Sequence, residues 1–313
     1  MPNKIVKVAE LNRGEWLAYR RKGIGGSDAA TVVGLNPYKS LYELWADKQG
    51  FLPESEDTEA MRTGRDLEQY VAQRFMEATE KRVERLPYMY AHSDYPYITA
   101  NIDRRIIGEN AALECKTTSV YNKSRFSEGE VPANYLCQCY HYMNVMGYDK
   151  MYLAVLILGK GFYWYEVERN EEQQAALLKA EVDFWNEYII GNSIPAPDGS
   201  DGAGEALVAV YKQDCGKTVN LMHLDGKFAA YSDIRAKIEE LSNTKSKIEQ
   251  EIKQELGEAS TGLGTEFKVT WKAQNRNSVD SKLLKEKYPD VYGECLKSSQ
   301  SRVFRFSEIK KEA

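Results

Sequence analysis

Two acidic residues set across a short hairpin constrain this chain more than any other feature. In the stretch Ile98-Thr-Ala-Asn-Ile-Asp103-Arg-Arg-Ile-Ile-Gly108-Glu-Asn-Ala-Ala-Leu-Glu114-Cys-Lys116, two β-strands flank a turn. With Gly108-Glu109 as a two-residue turn and glycine at its first central position, Asp103 lies directly opposite Glu114. Alternation along the strand puts Lys116 on the same face as Glu114. Two carboxylates about 5 Å apart at Cβ repel each other on a bare sheet. A divalent cation between them reverses that sign, and a hard cation such as Mg²⁺ takes oxygen ligands while retaining waters. The pattern is a candidate metal site with an adjacent ammonium, a combination suited to phosphodiester hydrolysis.

A D…E-x-K match by itself is more often a set of exposed hairpin charges. Here the charges are interleaved with Ile98, Ile102, Ile106, Leu113, Ala111 and Ala112. A strand whose other face is this apolar is half-buried, so its polar residues line a cleft or are paired.

At 313 residues the chain is long enough for one large domain and a smaller one. A hydrophobic content of 42% with 28% charged residues belongs to a soluble globular protein. The net charge of −5 excludes a generally basic nucleic-acid-coating protein, so any DNA contact must be local. The charge is uneven: residues 216–313 hold 18 Lys and Arg against 15 Asp and Glu, net +3, leaving −8 for residues 1–215. Five cysteines (115, 137, 139, 215 and 295) form no disulfide-like framework, which suits a reducing compartment. Cys137-Gln-Cys139 lacks zinc-site spacing, and three histidines are few for a zinc centre. The N-terminal Met-Pro-Asn-Lys has no apolar h-region and no run approaches a membrane span, so the expectation is a cytoplasmic protein with no membrane contact.

Along the chain, a short helix is expected at Trp16–Arg21, then a Gly-Ile-Gly-Gly-Ser27-Asp28 turn that caps a helix through Ala29–Val33. Ser40-Leu-Tyr-Glu43 is a capping box for a helix over Leu41–Gln49. Glu59–Thr79 is a long amphipathic helix with Leu67, Tyr70, Val71, Phe75 and Ala78 on one face. Strands are expected at Arg82–Leu86, Tyr97–Ile107, Ala111–Thr118, Lys150–Leu158 and Phe162–Glu168, with helices at Asn134–Met146 and Glu171–Ile190. This order predicts a mixed β-sheet core flanked by helices. Gly191 to Gly204 is rich in Gly, Pro, Ser and Asp, which places a domain boundary between residues 1–204 and 205–313. Beyond it Tyr231, Ile234, Ile238, Leu241, Lys245, Ile248 and Ile252 form a heptad stripe, expected as a long helix or helical hairpin. A strand at Glu266–Lys272, a helix at Ser281–Lys287 stopping before Pro289, and a strand at Ser301–Phe306 complete the reading.

Other residues could carry chemistry. Glu68, in Gly64-Arg-Asp-Leu-Glu68, could be a further metal or water ligand, although an acid at such a position is more often solvated. Arg20 and Arg21 with the Gly25-Gly-Ser27 turn form a phosphate site, since N–H groups at a helix start and a bidentate guanidinium favour anions. Gln138 follows the E-x-K strand, where its amide could orient Lys116, a phosphate or a water. His92 and His141 read as hydrogen-bonded structural residues.

Taken in order, Arg-Arg-Lys-Gly-Ile-Gly-Gly-Ser-Asp-Ala-Ala…Gly34-Leu-Asn-Pro-Tyr, Gly64-Arg-Asp-Leu-Glu68, Asn101-Ile-Asp103…Glu114-Cys-Lys116 and Gln138 resemble the YqaJ-type viral recombinases over roughly residues 12–190. That family is similar to the lambda-exonuclease-like alkaline exonucleases within the PD-(D/E)-x-K nuclease superfamily. The resemblance implies a restriction-endonuclease-like fold; residues 205–313 lie outside it, and their heptad stripe and strand patterns are expected as a C-terminal helical-hairpin plus β extension. It implies a Mg²⁺-dependent exonuclease, Mn²⁺ substituting, that degrades the 5′-ended strand of linear double-stranded DNA and leaves a 3′ single strand. A single-strand annealing partner and a homotrimer around the DNA follow from the same resemblance. By position, Asp103 and Glu114 ligate metal with the backbone carbonyl of Cys115, Lys116 positions or activates water, and Glu68 matches the helix acid. Arg21 or Arg20 with Ser27 matches the 5′-phosphate anchor, and Gln138 matches the first Gln of a Q-x-Q pattern whose second is Tyr140 here. The family's P-D-G stands as Ile-Asp-Arg. The competing functions are a restriction- or RecB-like endonuclease and a non-catalytic DNA-binding recombination scaffold.

Overall fold

Near-continuous apolar runs become the centre of a sheet because a strand covered on both faces has no side to show to water. The computed structural model describes residues 2–54, 56–121, 126, 129–298 and 301–309. The chain divides into two compact units, with the boundary between Lys212 and Gln213.

The first unit runs β1 (Asn3–Lys7), α1 (Arg13–Arg21), β2 (Ile24–Gly25), α2 (Gly26–Val32), α3 (Leu41–Lys48), α4 (Glu59–Thr79), β3 (Val83–Glu84), β4 (Tyr88–Ala91), β5 (Ile98–Ala100), β6 (Arg104–Ile106) and β7 (Ala111–Thr118). It continues with α5 (Ala133–Met146), β8 (Lys150–Ile157), β9 (Gly161–Glu168), α6 (Glu171–Phe184) and α7 (Asp201–Val210). A five-stranded sheet has the order β3-β6-β7-β8-β9, and a four-stranded sheet the order β1-β4-β5-β2. In the larger sheet β7 and β8 pair in parallel, and the other neighbours are antiparallel. A parallel pair needs a crossover, which α5 supplies. The architecture is mixed α/β.

Helix α4 starts where the Thr58 side chain accepts from the Met61 N–H and stops at Glu80, which adopts the left-handed conformation. It lays Val71, Ala72 and Phe75, all buried, against Ile106, Ala111, Leu113, Tyr152 and Ala154. Burying each large apolar side chain contributes about 1.5–3 kcal/mol. Cys139 and Met143 of α5 belong to a separate apolar cluster with Ala112 and Met151. The odd-numbered residues of β7 thus face α4 and the even-numbered ones face α5.

The hairpin register is the one that the turn at Gly108 requires: Arg104 pairs with Leu113 and Arg105 with Ala112. Gly108 has φ of 91°, as its turn position demands. The segment expected as a single strand, Tyr97–Ile107, instead splits between the two sheets, β5 in one and β6 in the other. The break at Asn101-Ile102-Asp103 has a local cause. The Asp103 carboxylate accepts the Cys115 N–H, supplying from a side chain what a ladder carbonyl would have supplied.

Other departures are smaller. Helix α6 changes to a π-helical turn over Trp185–Ile190 rather than continuing as α-helix. The boundary falls after α7 rather than at 204/205 within it, because Ala203 and Ala206 are buried in the core of the first unit. In the second unit the heptad stripe lies on one continuous helix, α8 (Asp225–Leu256), and not on a helical hairpin. No Gly or Pro interrupts it after Gly226. An antiparallel hairpin follows, β10 (Thr261–Leu263) with β11 (Lys268–Thr270), then α9 (Ser281–Lys287) and α10 (Pro289–Glu294). Pro289 is the first residue of α10, a position that needs no N–H donor. Ser301–Phe306 forms no strand. Among the described residues no helix is long and apolar enough to cross a membrane.

Candidate active site

Strand β7 passes from the core toward solvent: Ala111–Glu114 are buried and Cys115–Thr118 half-buried. Glu114 stands at that transition, 4% exposed. Its Oε1 accepts from Lys116 Nζ at 2.7 Å and from Gln138 Nε2 at 2.6 Å. Its Oε2 is buried and meets no donor among the described residues. Asp103 turns to the same strand, its Oδ2 accepting from the Cys115 N–H at 2.8 Å. From α4, Glu68 Oε1 accepts from Arg104 Nη1 at 2.5 Å. Arg104 is 3% exposed and also reaches the Asp103 carbonyl at 2.5 Å and Gln69 Oε1 at 3.1 Å.

The electrostatics follow from this crowding. Burial, and then the charges of Glu114 and Glu68, raise the Asp103 carboxyl well above the usual carboxylate range. Burial works against a charged Lys116, but the hydrogen-bonded Glu114 carboxylate and Asp103 outweigh it and raise the ammonium. The Cys115 thiol is pushed well up by burial and by the same carboxylates. Three carboxylates therefore face two fixed cations, Lys116 and Arg104, and full ionisation of Asp103 awaits further positive charge.

A second line of contacts runs from Glu114 toward the glycine-rich turn. Gln138 Nε2 donates to the Tyr142 hydroxyl at 2.9 Å, one helical turn along α5. The Tyr142 ring lies against Gly26: a Cβ there would come within 2.5 Å of Tyr142 Cε1. Ser27, next in sequence, accepts from Arg20 Nη2 at 2.5 Å, and the Arg20 guanidinium lies 4.8 Å over the Trp16 ring. Asp28 is buried, accepts from Lys48 Nζ at 2.7 Å, and stands 3.9 Å from Arg20. Burial opposes the Asp28 charge, yet Lys48 and Arg20 hold its carboxyl well below the usual range.

The structure thus brings Asp103, Glu114, Lys116 and Gln138 together, with Glu68 joined to them through Arg104. It brings Arg20 to Ser27. Arg21 goes elsewhere, to Asp47 Oδ1 at 3.4 Å and the Leu52 carbonyl at 3.0 Å. His141 is fully buried between Glu181 Oε1 at 2.6 Å and the Thr99 carbonyl at 2.8 Å, as a structural histidine should be. Sequence reasoning missed Arg104, Tyr142 and Lys48. Arg104 had a signal, a charge at an inward position between Ile102 and Ile106. Tyr142 follows Gln138 at helical spacing, whereas Lys48 had no local signal.

A metal fits this donor set. An orphaned, buried carboxylate oxygen costs about 1–3 kcal/mol or more unless something positive meets it, and Glu114 Oε2 is such an atom. Among the described residues no group of three or more His, Cys, Asp or Glu side chains is placed to hold a metal ion by itself, so an ion here would rest on Asp103 and Glu114 with water completing its shell, a mode open to Mg²⁺.

Residues 15–149 match the family model described as the YqaJ-like viral recombinase domain. Over 310 residues the chain is 41% identical to the protein YqaJ of Bacillus subtilis (strain 168), covering 97% of each. A stretch of 33 residues, 10% of each chain, is 61% identical to protein D345L of African swine fever virus (strain Badajoz 1971 Vero-adapted). Among solved structures, the chain is similar to an alkaline exonuclease, LHK-Exo, from Laribacter hongkongensis. That likeness has 18% identity and a TM-score of 0.49, over 57% of this chain and 93% of that one.

Proposed function

This chain belongs to the YqaJ-like viral recombinase family, and we propose that it is a metal-dependent nuclease of DNA recombination, a 5′-to-3′ exonuclease acting on the ends of linear double-stranded DNA. The 3′ single strand that it leaves is the substrate of a single-strand annealing protein, and a homotrimer encircling the duplex suits such digestion. The observation that carries the reading is the unpartnered, buried Oε2 of Glu114, held beside Asp103 and Lys116.

Asp103 and Glu114, with the Cys115 carbonyl, would hold Mg²⁺ or Mn²⁺, and the ion when bound polarises the scissile phosphate and acidifies a water. The chain's own residues do the rest. Lys116, kept as an ammonium by Glu114, positions water and stands where negative charge develops on the phosphate. Gln138 and Lys116 share one oxygen of Glu114, which leaves the other free for the metal. Arg104 ties Glu68 to the start of β6 and to the backbone carbonyl of Asp103, which links the helix acid to the residue that bears the strand carboxylate. Arg20 and Ser27 would grip the terminal 5′-phosphate, and that grip, at a fixed place relative to the carboxylates, sets the direction of digestion. Arg21, the other candidate for the anchor, is bonded to Asp47 and the Leu52 carbonyl.

The test is a Mg²⁺-dependent assay on end-labelled linear duplex and closed circular DNA. Nucleotides are expected from 5′ ends only, with circles spared. Glu114→Ala and Lys116→Ala are expected to be inactive while still shifting DNA on a gel. Cutting of closed circles would make the protein an endonuclease, and no metal-dependent cleavage at all would make it a binding scaffold.

A further inference from the structure

Helix α8 carries Tyr231, Ile238, Lys245 and Ile252 alternating with Ile234, Leu241 and Ile248, the a and d positions of a heptad repeat. The ends of the stripe are partly covered within its own unit, leaving Tyr231 44% and Ile252 38% exposed. Tyr231 packs on Phe306 with ring centroids 4.6 Å apart, and Ile252 and Leu256 share a cavity with the β10–β11 hairpin. Between them Ile234, Ile238, Leu241 and Ile248 are 56%, 62%, 68% and 50% exposed. A stripe this apolar on a 32-residue helix needs a second helix to cover it.

We propose that a second copy of this chain covers it, the two α8 helices pairing antiparallel about a two-fold axis beside Asn243. Charge complementarity selects the partner, the direction and the register. In this register Ile234 of one copy meets Ile252 of the other, Ile238 meets Ile248, and Leu241 meets Lys245. On the flanks Lys237 faces Glu251 and Arg235 faces Glu249. The symmetry repeats each contact, which makes four opposite-charge pairs. A parallel, in-register pair would stack Lys245 on Lys245 and set Lys237 against Ser242, with no ion pair on either flank. Sliding the antiparallel pair by one heptad sets Lys237 against Thr244 and Arg235 against Ser242 in one direction. In the other direction it sets Thr244 against Glu251 and Ser242 against Glu249. Of these arrangements only the first is complementary on both flanks, and e and g charges are what fix partner and orientation in coiled coils.

The Lys245 ammonium already leans out of the stripe to Glu249 at 3.4 Å, leaving its methylenes to pack on Leu241. Glu249 and Glu251 have further in-helix neighbours, Lys253 and Lys247, at 4.0 Å. These are exposed pairs that re-form across a dimer with little loss.

The test uses the full chain with the exposed Cys215 and Cys295 replaced by Ser. Ser242→Cys flanks the proposed axis and is expected to form a disulfide-linked dimer under mild oxidation, because only the antiparallel pair brings Ser242 to Ser242. Ile238→Asp with Leu241→Asp is expected to weaken self-association at least tenfold by light scattering or sedimentation, with helix content unchanged by circular dichroism. Lys237→Glu should weaken association, and adding Glu251→Lys should restore it. Cross-linking through Ile238→Cys but not Ser242→Cys would overturn the direction. An assembly mass indifferent to Ile238→Asp/Leu241→Asp would overturn the interface. Neither outcome bears on whether the first unit cuts DNA.

Discussion

Replacing Gly26 with alanine sets a methyl carbon 2.5 Å from Cε1 of Tyr142, 2.6 Å from Cζ and 3.0 Å from the hydroxyl. Carbon atoms settle at about 3.5–4.0 Å, so helix α2 or the ring must give by about 1 Å. The ring has little freedom. Tyr142 is buried, and its hydroxyl accepts from Gln138, which is itself buried and bonded to Glu114. Overpacking of this kind costs about 1–3 kcal/mol. If the hydroxyl withdraws from Gln138, a further hydrogen bond worth roughly 0.5–1.5 kcal/mol is lost. Against this, alanine is favoured over glycine within a helix by about 0.5–1 kcal/mol. The net expectation for Gly26→Ala is about 1–3 kcal/mol of destabilisation and weakened metal-dependent cleavage, since Gln138 loses the hydroxyl that steadies it against Glu114. Urea unfolding of Gly26→Ala, Tyr142→Leu and the double variant checks the cause. With the ring removed the methyl group has space, so the double variant should cost less than the sum of the singles by about 1 kcal/mol or more. A Gly26→Ala protein as stable as the parent, or an equal penalty in both backgrounds, refutes the argument.

Lys48→Met leaves the buried Asp28 without its nearest cation and should cost about 3–5 kcal/mol in urea unfolding. Because the folded Asp28 carboxyl lies below its unfolded value, the stability it contributes is present above about pH 4 and is lost as pH falls further; Lys48→Met, which removes the cation that holds the carboxyl down, should flatten that acid decline. The His141 imidazole is opposed by burial, but Glu181 and the Thr99 carbonyl raise its pKa, so its contribution is complete below about pH 6.5 and is lost as pH rises through the raised value. Glu181→Gln should flatten that alkaline decline in a series of denaturation midpoints, and an unchanged slope would count against the charged pair. Mg²⁺ at about 100 times its Kd should stabilise the parent by about 2.7 kcal/mol in thermal melts; Glu114→Gln should abolish most of that shift, and an equal shift in both proteins would remove Glu114 from the site.

Much of this geometry was legible because it depends on period and turn chemistry. The alternation through Ala111–Thr118 and the glycine at position 108 determine the register, and with it the meeting of Asp103, Glu114 and Lys116. Helix α4 begins and ends where its cap and its apolar face say it should. What could not be read depends on contacts far apart in sequence. The break after Ala100 comes from a side chain that bonds the next strand, which alternation does not encode. Arg20 and Arg21 look equivalent in sequence, and only the packing of α3 shows that Asp47 takes Arg21 while Ser27 takes Arg20. Lys48 looks like an ordinary helix lysine until the fold sets it 2.7 Å from Asp28. The heptad stripe was plain, but whether it bent into a hairpin rested on the absence of a breaker after Gly226, evidence weaker than a positive turn signal.

The break after Ala100 also explains how two distant motifs come to share a site. β2 pairs in parallel with β5, Ile24 with Ile98 and Gly25 with Thr99, so the Gly25-Gly26-Ser27 turn is fastened to the strand that ends just before Asp103. Gly23 permits that approach, since a Cβ there would lie 2.5 Å from the Tyr97 carbonyl oxygen, which accepts the Ile24 N–H at 2.7 Å. Leaving the four-stranded sheet after Ala100, the chain needs only Asn101 and Ile102 to reach Asp103 at the edge of β7. Backbone hydrogen bonds therefore set the separation between the Ser27 turn and Asp103, and the proposed phosphate anchor adds to it only the Arg20 side chain, bonded to Ser27. Such a separation does not stretch with the ligand, so a phosphate held at the anchor would present its neighbouring linkages to Glu114 and Lys116 in only one register. A nuclease of the proposed kind, built this way, would count from an end with a β-ladder as its ruler.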